Sequence, residues 1–403
     1  MSTSALEGLK ILEFGVVGAG PLATKDLADN GATVIKVEST KHLDLTRRTP
    51  PFKNGTVDAN KSGFFVWTNS SKYSVTLNLH HPDCKAVVKR LIAWADVLLE
   101  NMAYGFMDKI GLNYDNIKKI NRDIIMVSVS ITGRTGSHAH FKGYGNSGAA
   151  LSGHASLTGW PDRAPLLSPI AFSDVITPRI AVASILAALD HRNRTGKGQY
   201  IDISQVETMA NCLSPAILHY FSDGHKDTRI GNRSPQGAPH GVFPCEGNDQ
   251  WCAVAVLNDQ QWASLCSVIG RMDLINSTDF NTFTDRKKNE DELEKMVSEW
   301  TKGQTKEHVM KTLQEAGIPV GIVQDQEDLA KDTHLIDRQT YKKLDHSVIG
   351  PCNHAAPPIK LSKTPAEMRP APILGEHNHL VYTQFLGISD QEFIGLLNSG
   401  VFD

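Results

Sequence analysis

Asp174 is the first candidate for covalent chemistry in this chain. It stands in the pair Ser173-Asp174, shortly before Pro178, where the sequence predicts a helix over 178–191. Unpaired N–H groups make a helix start electropositive, which favours an ionised carboxylate there. Such a carboxylate can attack an acyl compound as a nucleophile. The same residue types also serve a plainer purpose. Ser, Asp and Thr cap helices through their oxygens, and proline suits the first turn. Asp174 or Thr177 as a simple cap therefore stays open.

Four other groupings carry chemical potential. Gly18 and Gly20 form a GxG after a predicted strand, and Glu38 closes the next strand about twenty residues on. That spacing is shared by dinucleotide sites, where the acid binds a ribose. Pro21 follows directly, however, and the third glycine position holds Ala23. A tight turn, or backbone contact with some other ligand, fits better than NAD. Lys142-Gly143-Tyr144 and Arg194-Thr-Gly-Lys-Gly-Gln199 offer basic groups in loops, and Gly375-Glu-His377 offers two ionisable neighbours. Each has an ordinary reading as surface or turn.

The elements that must hold these groups alternate between strand and helix. Leu9–Phe14 is an apolar run of strand length, Leu22–Asn30 has helical spacing, and Ala32–Val37 is a β-branched strand. The pattern continues through 73–79, 83–94, 97–100, 114–121, 124–131, 178–191 and 200–204. Apolar strands alternating with helices predict a parallel sheet covered on both faces. Around residue 225 the character changes. Gly231–Gly241 is rich in glycine and proline, and a smaller α+β segment with strands at 251–256 and 318–323 follows.

Composition bounds the partners. The chain has 403 residues, 41 Lys+Arg against 44 Asp+Glu, a net charge of −3 and a charged fraction of 21%. At roughly 100–200 residues per domain this predicts two or three domains. The balanced charge argues against a nucleic-acid-binding face, yet leaves room for a small anionic ligand held locally. The six cysteines are scattered without a close pair, so no metal site is expected and buried free thiols are. Met1–Lys10 lacks the pattern of a secretory leader and no long uninterrupted apolar run is present, so a cytoplasmic chain with no membrane partner is expected.

The ordered set of motifs resembles the class III CoA-transferases. The matching stretches are LEGLKILEFGVVGAGPLA (6–23), GATVIKVES (31–39), KYSVTLNL (72–79), ADVLLEN (95–101), SDVITPRIAVASILAALDHRNRTGKGQYIDIS (173–204), AGIPVGIV (316–323) and APILGEHN (371–378). The resemblance implies an α/β fold with a Rossmann-like large domain, 1–224 plus 326–403. It implies an inserted smaller α+β domain at 225–325 and an interlocked homodimer, or a heteromer with a homologous subunit. It makes Asp174 the nucleophile, forming an aspartyl anhydride and then an aspartyl-CoA thioester. No cofactor is permanently bound; coenzyme A thioester and a carboxylic acid are the substrates.

For CoA the resemblance points to Val16, Val17, Asn101, Met102, Lys109 and Lys142, and for substrate to Gly18 and Tyr144. Lys109 stands where an arginine is frequent. Ser39 stands where a basic residue can meet the adenine, with Lys41, Arg47 and Arg48 as substitutes. The related 2-methylacyl-CoA racemases place a histidine where Tyr144 stands. A phenol ionises only near pH ~10 in water, so transferase chemistry is favoured over α-proton exchange. Gly231–Asp249 lacks the glycine run of the formyl-CoA:oxalate enzymes, and Val17 replaces a polar residue that serves oxalate. A bulkier, less polar acceptor is expected. Thr46-Arg-Arg-Thr-Pro-Pro and Asn60-Lys-Ser-Gly-Phe-Phe are similar to benzylsuccinate-type transferases. They point to succinyl-CoA as donor and a substituted succinate such as benzylsuccinate as acceptor.

Overall fold

A computed structural model describes residues 4–403. Six parallel strands form the main sheet: β1 (Lys10–Phe14), β2 (Thr33–Glu38), β3 (Tyr73–Thr76), β4 (Val97–Glu100), β5 (Ile125–Ser130) and β6 (Tyr200–Ser204). Their order is β3-β2-β1-β4-β5-β6. Strands in such a sheet are buried on both faces and read as continuous apolar runs. Leu12 and Phe14 accordingly join one core with Leu98 and Met126, while Ile11 joins the other with Val34 and Val127. The strand order reverses between β1 and β4. Loops leaving the carboxyl ends of these two strands diverge there and open a crevice, the usual ligand position in open α/β sheets.

The chain divides into two compact units. One comprises Met1–Ala155, Leu167–His225 and His334–Asp403; the other comprises Ser156–Leu166 and Lys226–Thr333. The sequence assigns 156–166 and 326–333 differently. The first stretch has no pattern of its own; its Trp160 lies against Gly231, deep in the second unit's sequence. The second unit is built on a three-stranded antiparallel sheet, β7 (His240–Pro244), β8 (Trp251–Ala255) and β9 (Val320–Ile322). Trp262, Leu265, Val297, Val309 and Leu313 fill its own core. The cysteines are free thiols; Cys84, Cys245, Cys252 and Cys266 are buried, whereas Cys212 is exposed.

The helix bearing Asp174 runs from Phe172 to Thr195, six residues longer at its start than the sequence predicts. Pro178 lies inside it. Proline's fixed φ is helical, but it lacks the N–H that would meet the carbonyl of Asp174, four residues back, and its ring crowds that carbonyl. The Thr177 hydroxyl is buried without a hydrogen-bond partner, so Thr177 is no cap. By length and apolarity this helix could cross a membrane, although no uninterrupted apolar run marks it. Its Ala181, Ile185 and Ala188 are fully buried with β-sheet residues, so one face of it packs on the sheet. Ile185→Ala is expected to cost about 2–5 kcal/mol by removing a packed side chain. Urea unfolding measures that loss.

Candidate active site

Close approach of backbone to side chain is what builds the Asp174 site. The carboxylate lies in the first helical turn, where the Asp174 N–H bonds the Ala171 carbonyl at 2.9 Å. The Gly145 N–H donates to Asp174 Oδ2 at 3.2 Å, and Gln205 Nε2 donates to Oδ1 at 2.9 Å. A Cβ on Gly145 would stand 2.4 Å from Oδ2, so no other residue fits there. A Cβ on Gly18 would stand 3.1 Å from the Asp174 Cβ. Ser173 completes the frame: its hydroxyl lies 2.9 Å from the Gly145 carbonyl and 3.1 Å from Gln205 Oε1.

Burial pushes the Asp174 carboxyl above the usual aspartate range. The Gln205 and Gly145 hydrogen bonds oppose that rise but do not cancel it, and no charged neighbour contributes. The group is thus a carboxylate held by two neutral donors, without a cation to quench it. A higher pKa means a more basic, more nucleophilic oxygen once ionised.

Asp174 opens into a cavity of about 330 Å³ at the switch point of the sheet. Val16, Val17, Gly18, Asn101, Met102, Lys142 and Tyr144 all line it. Parts of the chain more than a hundred residues apart meet there because β1, β4 and β5 end side by side.

The protein-family comparison matches CoA-transferase family III over residues 6–378. The chain belongs to CoA-transferase family III. Succinyl-CoA–D-citramalate CoA-transferase of Chloroflexus aurantiacus is 30% identical over 391 residues, 96% of this chain and 95% of that one. Formyl-CoA:oxalate CoA-transferase of Streptomyces coelicolor is 32% identical over 418 residues, covering both chains fully. The chain spans half the length of another relative, a probable CoA-transferase of Mycobacterium tuberculosis at 31% identity. Among solved structures, a CaiB/BaiF family protein from Brucella suis aligns with a TM-score of 0.87 at 31% identity, covering 95% of this chain and 100% of that one. The chain is therefore a class III CoA-transferase by family.

Within this transferase, several residues named from the sequence play a different part. Arg47 is a correction. Its side chain is fully buried, both carboxylate oxygens of Glu38 meet it at 2.8 Å, and its guanidinium lies 3.5 Å from the Phe65 ring centroid. Burial and this pairing leave it no group to offer CoA. The same pair commits Glu38, so it is not the ribose acid of a dinucleotide site. Gly18 and Gly20 are explained by their packing against Asp174 and Asn101.

Asn101 is spent as well: its amide accepts from the Val16 N–H and donates to the Val16 carbonyl, both at 2.8 Å. Glu100 accepts from the Met102 N–H, and Arg134 donates to the Met102 carbonyl, each at 2.8 Å. Val16 and Met102 therefore present mainly apolar surface. Lys109 is exposed at the end of the short helix Phe106–Lys109, outside the cavity lining. Gln205, Gly145 and Arg134 went unnamed in the sequence. Only the abrupt passage from strand to helix at Ser204-Gln205 could have marked the first of them.

Gln205→Leu removes a hydrogen bond that favours the ionised form of Asp174. Such bonds to charged groups are worth about 1.5–3 kcal/mol, or roughly 1–2 pH units. The acid limb of kcat/KM is expected to move upward by that amount; a pH–rate profile of the variant checks it.

Proposed function

We propose that this protein moves CoA from succinyl-CoA to a substituted succinate or a similar dicarboxylic acid, through covalent intermediates on Asp174. The observation carrying the proposal is the half-buried Asp174 carboxylate, held by neutral donors and open to the cavity. An Asp174 oxygen attacks the donor's acyl carbon, the C–S bond breaks, and CoA leaves as its thiolate. The thiolate then attacks the Asp174 carbonyl of the anhydride. The donor acid departs with one former Asp174 oxygen, leaving an aspartyl-CoA thioester. The acceptor carboxylate attacks that thioester, and the released thiolate attacks the acceptor's carbonyl. New acyl-CoA and free Asp174 result, with no net proton consumed.

The Gly145 N–H and Gln205 amide stand where an oxyanion would develop on the Asp174 carbonyl, so each addition to it is stabilised by preorganised donors. Lys142, exposed at the cavity rim, supplies charge for CoA. A second cavity of about 300 Å³ shares Val16 and Met102 with the first and is lined by Ser39, His42 and His80. It suits the nucleotide end of CoA, with the histidines replacing the basic residue missing at Ser39.

The acceptor is argued from the lining. Val17, Met102, Phe141 and Tyr144 make the wall beside Asp174 largely apolar, which disfavours oxalate and suits an acid carrying an alkyl or aryl substituent. The relative that uses D-citramalate, itself a substituted succinate, is in keeping with this. Tyr144 is 64% exposed and stands at the N-cap position of the helix Gly145–Leu151 without a side-chain hydrogen bond to it. It is no proton-transfer partner of the racemase type.

Two copies of the chain are proposed to associate. In the helix Ser214–Asp223 no residue is buried, although it carries Leu218, Tyr220 and Phe221. Ile180 and Leu186 are exposed on the Asp174 helix too. Apolar surface of this extent marks an interface. Sedimentation should show a dimer, and Phe221→Glu should weaken it.

Incubation with succinyl-CoA followed by hydroxylamine should convert Asp174 to its hydroxamate, seen by peptide mass spectrometry. Asp174→Ala should abolish transfer. Unmodified Asp174 with turnover intact would overturn the covalent route. A carboxylate panel should then rank substituted succinates above oxalate.

A further inference from the structure

The turn after β1 carries Val16, Val17 and Gly18 to the cavity and runs into the helix Ala19–Asp29, and side chains hold several backbone groups between Gly15 and Pro21. Asn101 takes two of them, on Val16. Three more are held by a cluster of charges with no exposed side-chain surface. Lys36 Nζ donates to the Gly15 carbonyl at 2.6 Å, Asp44 Oδ1 accepts from the Val17 N–H at 3.0 Å, and Lys72 Nζ donates to the Pro21 carbonyl at 2.8 Å. Glu13 joins the two lysines, with Oε1 3.0 Å from Lys36 and Oε2 2.9 Å from Lys72. Lys36 in turn pairs with Asp44 at 2.9 Å.

Sequence and register explain the juxtaposition. Glu13 on β1 lies directly beside Lys36 on β2, and Lys72 immediately precedes β3. Well-packed apolar residues in such a place are often as stabilising as paired charges or more so, because ions are costly to take out of water. The charges therefore call for a role beyond stability. Val17 supplies one. It is β-branched and held at φ +63, a left-handed conformation that such residues rarely adopt. Asp44 grips its N–H, and Lys36 fixes Asp44.

We infer that Glu13, Lys36, Asp44 and Lys72 are positioning residues, a buried clamp that holds the turn Gly15–Gly18 and the helix start at Ala19–Pro21 against Asp174, with Lys72 as its proton-dependent arm on the helix start. The clamp itself is independent of the function proposed above; its effect on rate rests on that function. As an ammonium, Lys72 has three N–H groups for Pro21, Asn69 Oδ1 at 2.8 Å and Glu13, with the Thr68 carbonyl at 3.2 Å as a further acceptor. As an amine it has two, and the attraction to Glu13 is lost.

Burial brings the Lys72 ammonium down to about 8, against the pull of Glu13; nearby Lys36 lowers it further and Asp44 raises it. Asp26 also lies within reach of its charge. Burial opposes the charge on Lys36 too, but Glu13, Asp44 and Glu38 outweigh it and hold that lysine well above the usual range. Lys72 is thus the member that titrates. Its pKa lies below the 10.5 of free lysine, so between about 8 and 10.5 the unfolded chain binds more protons. This group's contribution to stability therefore rises with pH, while its grip on the loop falls. A purely structural role would leave kcat without an alkaline fall.

The test compares the wild type, Lys72→Met and Lys72→Arg, each as the full chain. One readout is kcat and KM for succinyl-CoA against pH. The other is hydrogen exchange of the Val16 and Val17 amides, corrected for its intrinsic pH dependence. The wild type should lose kcat above pH 8 while KM changes little. Lys72→Met should be about tenfold or more slower at pH 7, with no further fall above 8. Lys72→Arg, if it folds, should keep its rate past pH 8. The Val16 and Val17 amides should exchange faster in Lys72→Met at pH 7, and in the wild type above pH 8. Lys72→Met with the wild-type rate and the same alkaline fall would overturn the clamp, as would unchanged amide exchange. A wild type that transfers CoA from no thioester would refute the proposed function instead, leaving the exchange data to decide the clamp.

Discussion

A carboxylate drawn partly out of water without a cation beside it is the constraint on which the rest of this structure depends. Burial makes Asp174 basic, and only an unusually close backbone keeps that burial tolerable. Gly145 approaches so nearly that its N–H reaches one oxygen, and Gln205 supplies the other hydrogen bond. A lysine or arginine in their place would stabilise the anion more strongly and blunt its attack. Neutral donors hold the group in place and remain useful when the charge moves on to a carbonyl oxygen.

The sheet order follows from the need to bring such distant pieces together. Gly18 follows β1, Asn101 follows β4, and Gln205 follows β6, while Gly145 and Asp174 lie on the long excursion between β5 and β6. In a parallel sheet every strand delivers its next loop to the same edge, so all of these meet beyond the carboxyl ends. The reversal between β1 and β4 leaves the gap in which a ligand fits. Buried charges then stiffen the β1 loop from beneath, where an apolar core would leave its carbonyls without partners.

Much of this was legible in the sequence, and the failures have physical reasons. The strands were visible because a two-sided sheet demands uninterrupted apolar runs, as in Leu9–Phe14 and Ile124–Ile131. Asp174 was visible as a carboxylate near a helix start, where a plain cap explained it equally well; the family resemblance is what made it the nucleophile. The helix start itself was misplaced: Pro178 resembles a first-turn residue, and nothing local shows that a proline is tolerated in the interior of this helix. Arg47 was assigned to CoA as a substitute for the basic residue that the resemblance expects at Ser39, because its partner could not be seen. Glu38 is that partner, nine residues away and across a fold the sequence does not display. Gln205 was invisible because an uncharged amide acquires meaning only through Asp174, thirty-one residues earlier.

The central claim is that Asp174 carries CoA on its own carboxyl carbon, and oxygen exchange tests this most directly. An acceptor acid labelled with heavy oxygen in its carboxylate attacks the aspartyl thioester through one labelled atom. When the thiolate takes the acceptor's acyl group, that atom stays on Asp174. A single turnover followed by peptide mass spectrometry should therefore find one heavy oxygen in the Asp174 carboxyl group, and none in other carboxylates. Turnover that yields labelled acyl-CoA while Asp174 keeps only light oxygen would contradict the account.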